Sequence, residues 1–163
     1  MASRKFWWLP LLVLQLGSPA HAEAPYRKAS FGKMGYANKT LSPGKWYVAA
    51  NATDIDEERS ADIALYRSAI LAKAAKFTHI QVVNFKIEVL LYATNNVQLA
   101  KLTVAGTNDP NATFECMAKP YFKPNCKVVA VDEVIARLGA QLGQAPQDAA
   151  RDIELVRAET SRK

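Results

Sequence analysis

A period of two over residues 83–92, within the extended segment 77–92, predicts the longest β-strand of the chain. Val83, Phe85, Ile87 and Val89 occupy every second position, and mostly polar side chains stand between them. A period of two that is rich in β-branched and aromatic residues is typical of a strand with two different faces. We therefore expect a sheet strand in the middle of the chain.

Four shorter segments have the same extended character. Residues 36–41 and 45–51 flank a Pro-Gly pair, which suits a type II turn because glycine accepts the positive φ needed there. This predicts a hairpin. Residues 97–105 follow a polar turn and predict a strand that pairs with the long one, and residues 127–131 predict a fifth strand.

Helical periodicity predicts two helices. Ile63, Tyr66 and Ile70 recur at a spacing of three to four, among alanines that would let the helix lie close against a sheet. A second, shorter helix is predicted to be capped by Asp132 and to stop at Gly143.

The predicted order is β-β-α-β-β-β-α, which favours an α+β fold with a small mixed or antiparallel sheet and the helices on one face. We expect one domain over residues 36–143. Residues 23–35 mix charges, glycine and proline and are interpreted as a flexible lead-in. Residues 144–163 carry few apolar side chains among charges, which predicts either a loosely docked helix or a disordered tail.

Residues 1–22 have the form of a cleaved export signal. A basic start precedes residues 6–16, which carry no charge, and a small-x-small site predicts cleavage between Ala22 and Glu23. The apolar run is too short to span a bilayer comfortably, and no cysteine before Cys116 could take a lipid. We therefore expect a periplasmic or secreted protein without a stable membrane anchor after cleavage.

The charge pattern argues against nucleic acid as a partner. Loss of Arg4 and Lys5 with the signal would lower the formal net charge from +6 to +4. The remaining basic residues are spread along the chain, whereas nucleic-acid surfaces concentrate them on one face. Mild basicity is consistent with solubility and with weak attraction to anionic envelope components.

Two cysteines, Cys116 and Cys126, remain in the exported chain. Their spacing does not match the two-residue gap of a redox or zinc pair, and an oxidising compartment favours a disulfide. Closing a loop of this size is worth on the order of 3 kcal/mol in the chain-entropy account. A reactive or metal-binding pair is the alternative.

Catalytic signatures are scarce. His79 is the single histidine left after cleavage, and the chain has no glycine-rich phosphate loop, G-x-S-x-G elbow or H-E-x-x-H motif. We expect no cofactor and no metal, and we lean away from an enzyme.

An acidic cluster precedes the first predicted helix. Asp54, Asp56, Glu57 and Glu58 suit capping and the helix dipole, which needs no further function. The alternative is a carboxylate-dependent hydrolase in which these acids act with Arg67.

Three aromatic residues, Tyr36, Trp46 and Tyr47, lie in the first hairpin. With Arg67 they form a candidate ligand or partner surface, although packing against the alanine-rich helix explains the aromatic residues more simply. Our leading hypothesis is a non-enzymatic module that binds an envelope protein or envelope component. A carrier of a small apolar ligand is a further alternative, which requires a pocket beside Trp46. The sequence does not indicate an oligomeric state.

A series of short motifs runs along the first half of the chain: Gly35-Tyr36, Leu41-Ser42-Pro43-Gly44, residues 46–51, residues 61–69 and Phe77. With these motifs, the segment over residues 35–83 resembles a family of small, uncharacterised bacterial envelope proteins, many of them described as lipoproteins. The resemblance implies a small α+β envelope domain with no established activity. The chain departs from that family in lacking the lipid-attachment cysteine, and Lys76 stands where a glycine often ends the helix.

Overall fold

A computed structural model describes residues 26–30, 34–53, 57–92, 95–116 and 126–162. The predicted signal with its cleavage point, part of the lead-in, and the aspartates of the acidic cluster lie outside these ranges.

Strands and helices in the described ranges confirm the predicted α+β class. The predicted order is observed, with one more helix at its end. The elements are β1 (Gly35–Ser42), β2 (Lys45–Thr53), α1 (Glu57–Ala74), β3 (His79–Tyr92), β4 (Asn95–Thr107), β5 (Val128–Ala130), α2 (Val131–Gln141) and α3 (Pro146–Thr160).

The five strands form one sheet in the order β1-β2-β4-β3-β5, and every pairing is antiparallel. Two hairpins, β1–β2 and β3–β4, are joined through the pairing of β2 with β4. Helix α1 connects the hairpins and packs across β1 to β4, while α2 and α3 pack against α1. The sheet therefore has a covered face, and β1 and part of β3 lie at its edges.

The first hairpin follows the chemistry of its turn. Gly44 has a φ of 73°, the positive value expected after Pro43. Along β2 the side chains then alternate: Trp46 and Val48 are buried on the covered face, whereas Tyr47 on the outer face is only partly buried.

Helix α1 is buried on nearly all sides. Ala64, Ala69 and Ala72 are fully buried, as are the larger Ile63 and Ile70. The small side chains allow the helix backbone to approach the sheet closely, while the isoleucines fill the remaining space.

The C-terminal segment is an ordered part of this core. Residues 146–160 form α3, which packs on α1 and buries Ala149 and Val156. No helix in the described ranges is long and apolar enough to cross a membrane.

A disulfide joins Cys116 to Cys126, with Cα atoms 5.5 Å apart. The side chain of Gln81 holds both ends of this loop on the outer face of the sheet. Its amide nitrogen donates to the carbonyl of Cys126 at 3.1 Å, and its oxygen accepts from the backbone N–H of Phe114 at 3.0 Å. The two bonds satisfy an amide that is almost wholly buried.

Candidate functional site

Tyr36 and Arg67, two of the predicted surface residues, meet inside the protein. The guanidinium of Arg67 lies 4.5 Å from the ring centroid of Tyr36, and both residues are buried. Arg67 also donates to Asn38 at 3.0 Å and forms an ion pair with Asp152 of α3 at 3.5 Å. A buried cation needs such partners because water no longer solvates it.

Tyr26, from the segment before β1, completes this cluster. Its ring stacks on Tyr36 at 4.8 Å and meets Tyr66 edge-on at 4.7 Å, and its hydroxyl donates to Asp152 at 2.9 Å. Burial raises the pKa of the Tyr26 hydroxyl and raises the pKa of Tyr66 to about 12. The cluster thus joins α1, β1 and α3 as an internal polar contact.

The other two predicted residues lie elsewhere. Trp46 is buried and packs edge-on against Phe77, with ring centroids 6.0 Å apart. Tyr47 is on the opposite face of the sheet, because neighbouring residues of a strand point to opposite sides. The structure therefore brings Tyr36 and Arg67 together and separates both from Trp46 and Tyr47.

An open cleft of about 300 Å³ lies between the β1–β2 turn and the disulfide loop. Phe77 lines this cleft and also packs against Trp46, but Trp46 itself does not line the cleft. This volume is at the lower limit for small-molecule sites. The lining residues are Ser42, Pro43, Gly44, Lys45, Phe77, Val83, Ala105, Gly106, Phe114 and Glu115.

Glu58, the member of the acidic cluster whose side chain is described, lies far from Arg67 along α1. Arg67 stands nine positions after Glu58, which corresponds to about 13 Å of helix axis, and Arg67 is directed to α3. Among the residues that the structure describes, no group of acidic, histidine or cysteine side chains could hold a metal ion. His79 lies at the start of β3, where Nδ1 is 2.9 Å from the hydroxyl of Thr78.

The outer edge of β3 pairs with a strand over only part of its length in the described ranges. β5 covers this edge at residues 79–81, and the carbonyl of Val82 accepts a hydrogen bond from the backbone N–H of Cys126. From residue 86 to residue 92 no strand within the described ranges pairs with that side. A strand edge without a strand partner is the feature that strand-adding ligands use.

Apolar side chains line the same edge. Ile87, Val89 and Leu90 are 38%, 57% and 36% exposed. Ile87 and Val89 belong to the covered face of the sheet, since Ile87 pairs with the buried Ala100 of β4. They are thus at the margin of the core, where a further strand would bury them.

Charged residues form the other row of this edge. Glu88 accepts hydrogen bonds from Lys101 of β4 at 2.5 Å and pairs with Lys86 at 2.7 Å. These two ammonium groups lower the pKa of Glu88 to about 2. The edge therefore has an apolar row facing the helices and an ionised row facing outward.

Sequence reasoning found the β3 strand but did not identify its edge as a site. The alternation of residues 83–92 shows two faces, whereas the pairing order that leaves the edge open depends on distant parts of the chain.

Comparisons with protein-family models, curated proteins and solved structures found no match to the chain.

Proposed function

We propose that the mature chain is an exported, non-enzymatic binding module of the bacterial cell envelope, and that it binds its partner through the edge of β3. The observation that carries this proposal is that Ile87, Val89 and Leu90 are exposed along a part of β3, residues 86–90, whose outer side pairs with no strand of the described ranges. Natural proteins usually protect such an edge unless it serves binding.

Strand addition explains how the edge would bind. A strand placed beside residues 86–90 would form backbone hydrogen bonds, and its apolar side chains would cover Ile87 and Val89. Fully burying one exposed aliphatic side chain is worth about 1.5–3 kcal/mol, and covering the exposed parts of Ile87 and Val89 would contribute a share of that value at each residue.

The proposed export to the cell envelope rests on two observations. Residues 1–22 carry the charge and cleavage pattern of an export signal, and the disulfide between Cys116 and Cys126 suits an oxidising environment. The resemblance of residues 35–83 to bacterial envelope proteins agrees with both.

The hydrolase alternative loses support because Arg67 is engaged with Asp152, about 13 Å of helix from Glu58.

The test is photo-crosslinking in living cells. A photoreactive amino acid at Val89 should give a reproducible adduct, because this side chain is 57% exposed on the proposed surface. The matched control places the same group at Leu155, which is 56% exposed on α3. Absence of any adduct specific to Val89 contradicts the proposed surface.

Export is tested separately. N-terminal sequencing of the protein purified from the cell envelope should begin at Glu23. A product that begins at Met1, or that fractionates with the cytosol, contradicts the proposed compartment.

A further inference from the structure

We propose that the cleft beside the β1–β2 turn binds a small zwitterion with an apolar side chain, of the size of a hydrophobic amino acid or dipeptide. Two observations carry the proposal together. The cleft has an apolar lining, and its two charged residues are of opposite sign and have no ion-pair partner in the described ranges. The proposal goes beyond the function assigned to β3, because none of residues 86–90 lines the cleft.

The register of the sheet sets the width of the cleft. Ala105 of β4 pairs with Lys45 of β2 on one side and with Gln81 of β3 on the other. Neighbouring strands lie about 4.7–4.9 Å apart, so about 10 Å separate the backbones of Lys45 and Gln81. Gln81 in turn accepts a hydrogen bond from the backbone N–H of Phe114 at 3.0 Å, which holds that segment over β3. The small side chain of Ala105 leaves the space between the two sides open.

Two glycines bring an aromatic ring into the lining. A Cβ atom added at Gly106 would lie 2.6 Å from the ring of Phe77, and one added at Gly44 would lie 3.0 Å from it. The ring therefore packs directly against the backbone of both residues, in a space that any other side chain would fill. Because Phe77 also packs edge-on against the buried Trp46, this part of the lining is fixed by the core.

The opposite side of the cleft is also apolar. The register of β3 shifts between Val82 and Asn84, and Val83, the residue skipped in the pairing, contributes to the lining. Phe114 lines the cleft as well and is 36% exposed. Since Gln81 holds its backbone, Phe114 offers a ligand an aromatic contact at a set position.

Lys45 and Glu115 supply the charges of the lining. Lys45 belongs to the side of the β1–β2 turn, and Glu115 directly follows Phe114 on the other side. Both residues are exposed, and neither forms an ion pair or a side-chain hydrogen bond with any residue that the structure describes. The cleft thus keeps an unneutralised ammonium group and an unneutralised carboxylate on either side of an apolar surface.

A zwitterion complements all three parts of this lining. Its carboxylate would pair with Lys45, its ammonium group would pair with Glu115, and its apolar side chain would lie against Phe77 and Phe114. A ligand with a single charge would satisfy one of the two charged residues and be repelled by the other. A volume of about 300 Å³ limits the ligand to a small molecule.

NMR titration of the mature chain with phenylalanine and with leucyl-leucine tests the proposal at neutral pH. At least one of the two should shift the backbone amides of Ala105 and Gly106 saturably at millimolar concentration. Phenylpropionate and phenethylamine keep the ring of phenylalanine but carry one charge each, and both should bind at least fivefold more weakly than phenylalanine. The proposal is overturned if neither zwitterion binds, or if a singly charged analogue binds as tightly as phenylalanine.

Variants of the two charged residues assign the ends of the ligand. Lys45→Met and Glu115→Gln should each weaken binding of the zwitterion at least fivefold, because each removes one charge from an exposed side chain without disturbing the core. Lys39→Met is the control, since Lys39 is exposed but does not line the cleft. Equal affinity of the Lys45, Glu115 and Lys39 variants would overturn the assignment. The crosslink from Val89 should be unchanged in all three, so this proposal and the proposed function of β3 fail separately.

Discussion

Arg67 shows how a single buried cation can organise a small core. Its three partners come from two elements: Tyr36 and Asn38 from β1, and Asp152 from α3. Removing one partner of a buried charge pair costs more than the pair contributes, because the remaining charge stays desolvated. Arg67 therefore holds α3 against the sheet. An exposed ion pair would contribute little to such a contact, because water solvates both of its charges.

Replacing Asp152 with alanine should destabilise the protein by about 2–3 kcal/mol, since Arg67 would stay buried without its carboxylate. The matched control is Glu154→Ala on the same helix, whose exposed pair with Arg157 should be worth less than about 1 kcal/mol. Urea unfolding of both variants measures the difference. Equal midpoints would show that the ion pair of Arg67 is not needed.

Glu88 gives a prediction about pH. Its pKa lies at about 2 instead of 4.5, first because Lys101 donates to it and then because Lys86 does. A lowered folded-state pKa gives a stabilisation that is present above about pH 4.5 and is lost as the pH falls toward 2. Carboxyl NMR titration should show that Lys101→Met raises the pKa of Glu88 more than Lys86→Met does. The opposite ranking would contradict the assigned hydrogen bonds.

At the scale of elements, the sequence pattern predicted those strands, turns and helices whose formation depends mainly on residues close together in the chain. The alternation of β3, the Pro-Gly turn before β2 and the alanine-rich periodicity of α1 all appear at or near the predicted positions. The exact start of a helix, which depends on contacts with residues distant in the sequence, differs from the prediction. α2 begins at Val131, so the predicted cap Asp132 lies inside its first turn, and no side-chain hydrogen bond caps the helix. The backbone N–H of Val131 instead donates to the carbonyl of Thr78, the residue directly before β3.

The parts that sequence reasoning left open depend on contacts between distant residues. α3 buries only small or moderate side chains, Ala149 and Val156, and its strongest link is the polar Asp152. The sequence of α3 therefore shows only a weak helical repeat of apolar residues. The burial of Tyr36 and the open edge of β3 likewise follow from the sheet order, which no local pattern encodes.

The disulfide loop should depend on Gln81 as well as on its cysteines. Gln81→Leu would leave the Phe114 N–H and the Cys126 carbonyl without their partner, so hydrogen exchange at Phe114 should become faster. Replacing both cysteines with serine should accelerate the same amide and cost about 2–3 kcal/mol. Amides inside α1 serve as the internal reference. Unchanged exchange at Phe114 in Gln81→Leu would contradict a role in holding the loop.

At the scale of the whole molecule, the two ends of the described chain meet on α1. Tyr26 precedes β1 and Asp152 belongs to the last helix, yet the hydroxyl of one donates to the carboxylate of the other at 2.9 Å. A contact between such distant residues stabilises only when the whole core has formed. We therefore infer that α3 unfolds together with the sheet in a single transition.

Truncation tests this coupling. A chain that ends at residue 145 loses Asp152, Ala149 and Val156, which exposes Tyr26 and leaves Arg67 unpaired. The summed loss should exceed about 4 kcal/mol, a large share of the 5–15 kcal/mol that stabilises an ordinary domain. A chain that ends at residue 160 keeps α3 and should unfold at the full-length midpoint. If thermal unfolding followed by circular dichroism gave both truncated chains the same midpoint, α3 would be an appended helix, and the buried cluster around Arg67 would contribute nothing to the stability of the domain.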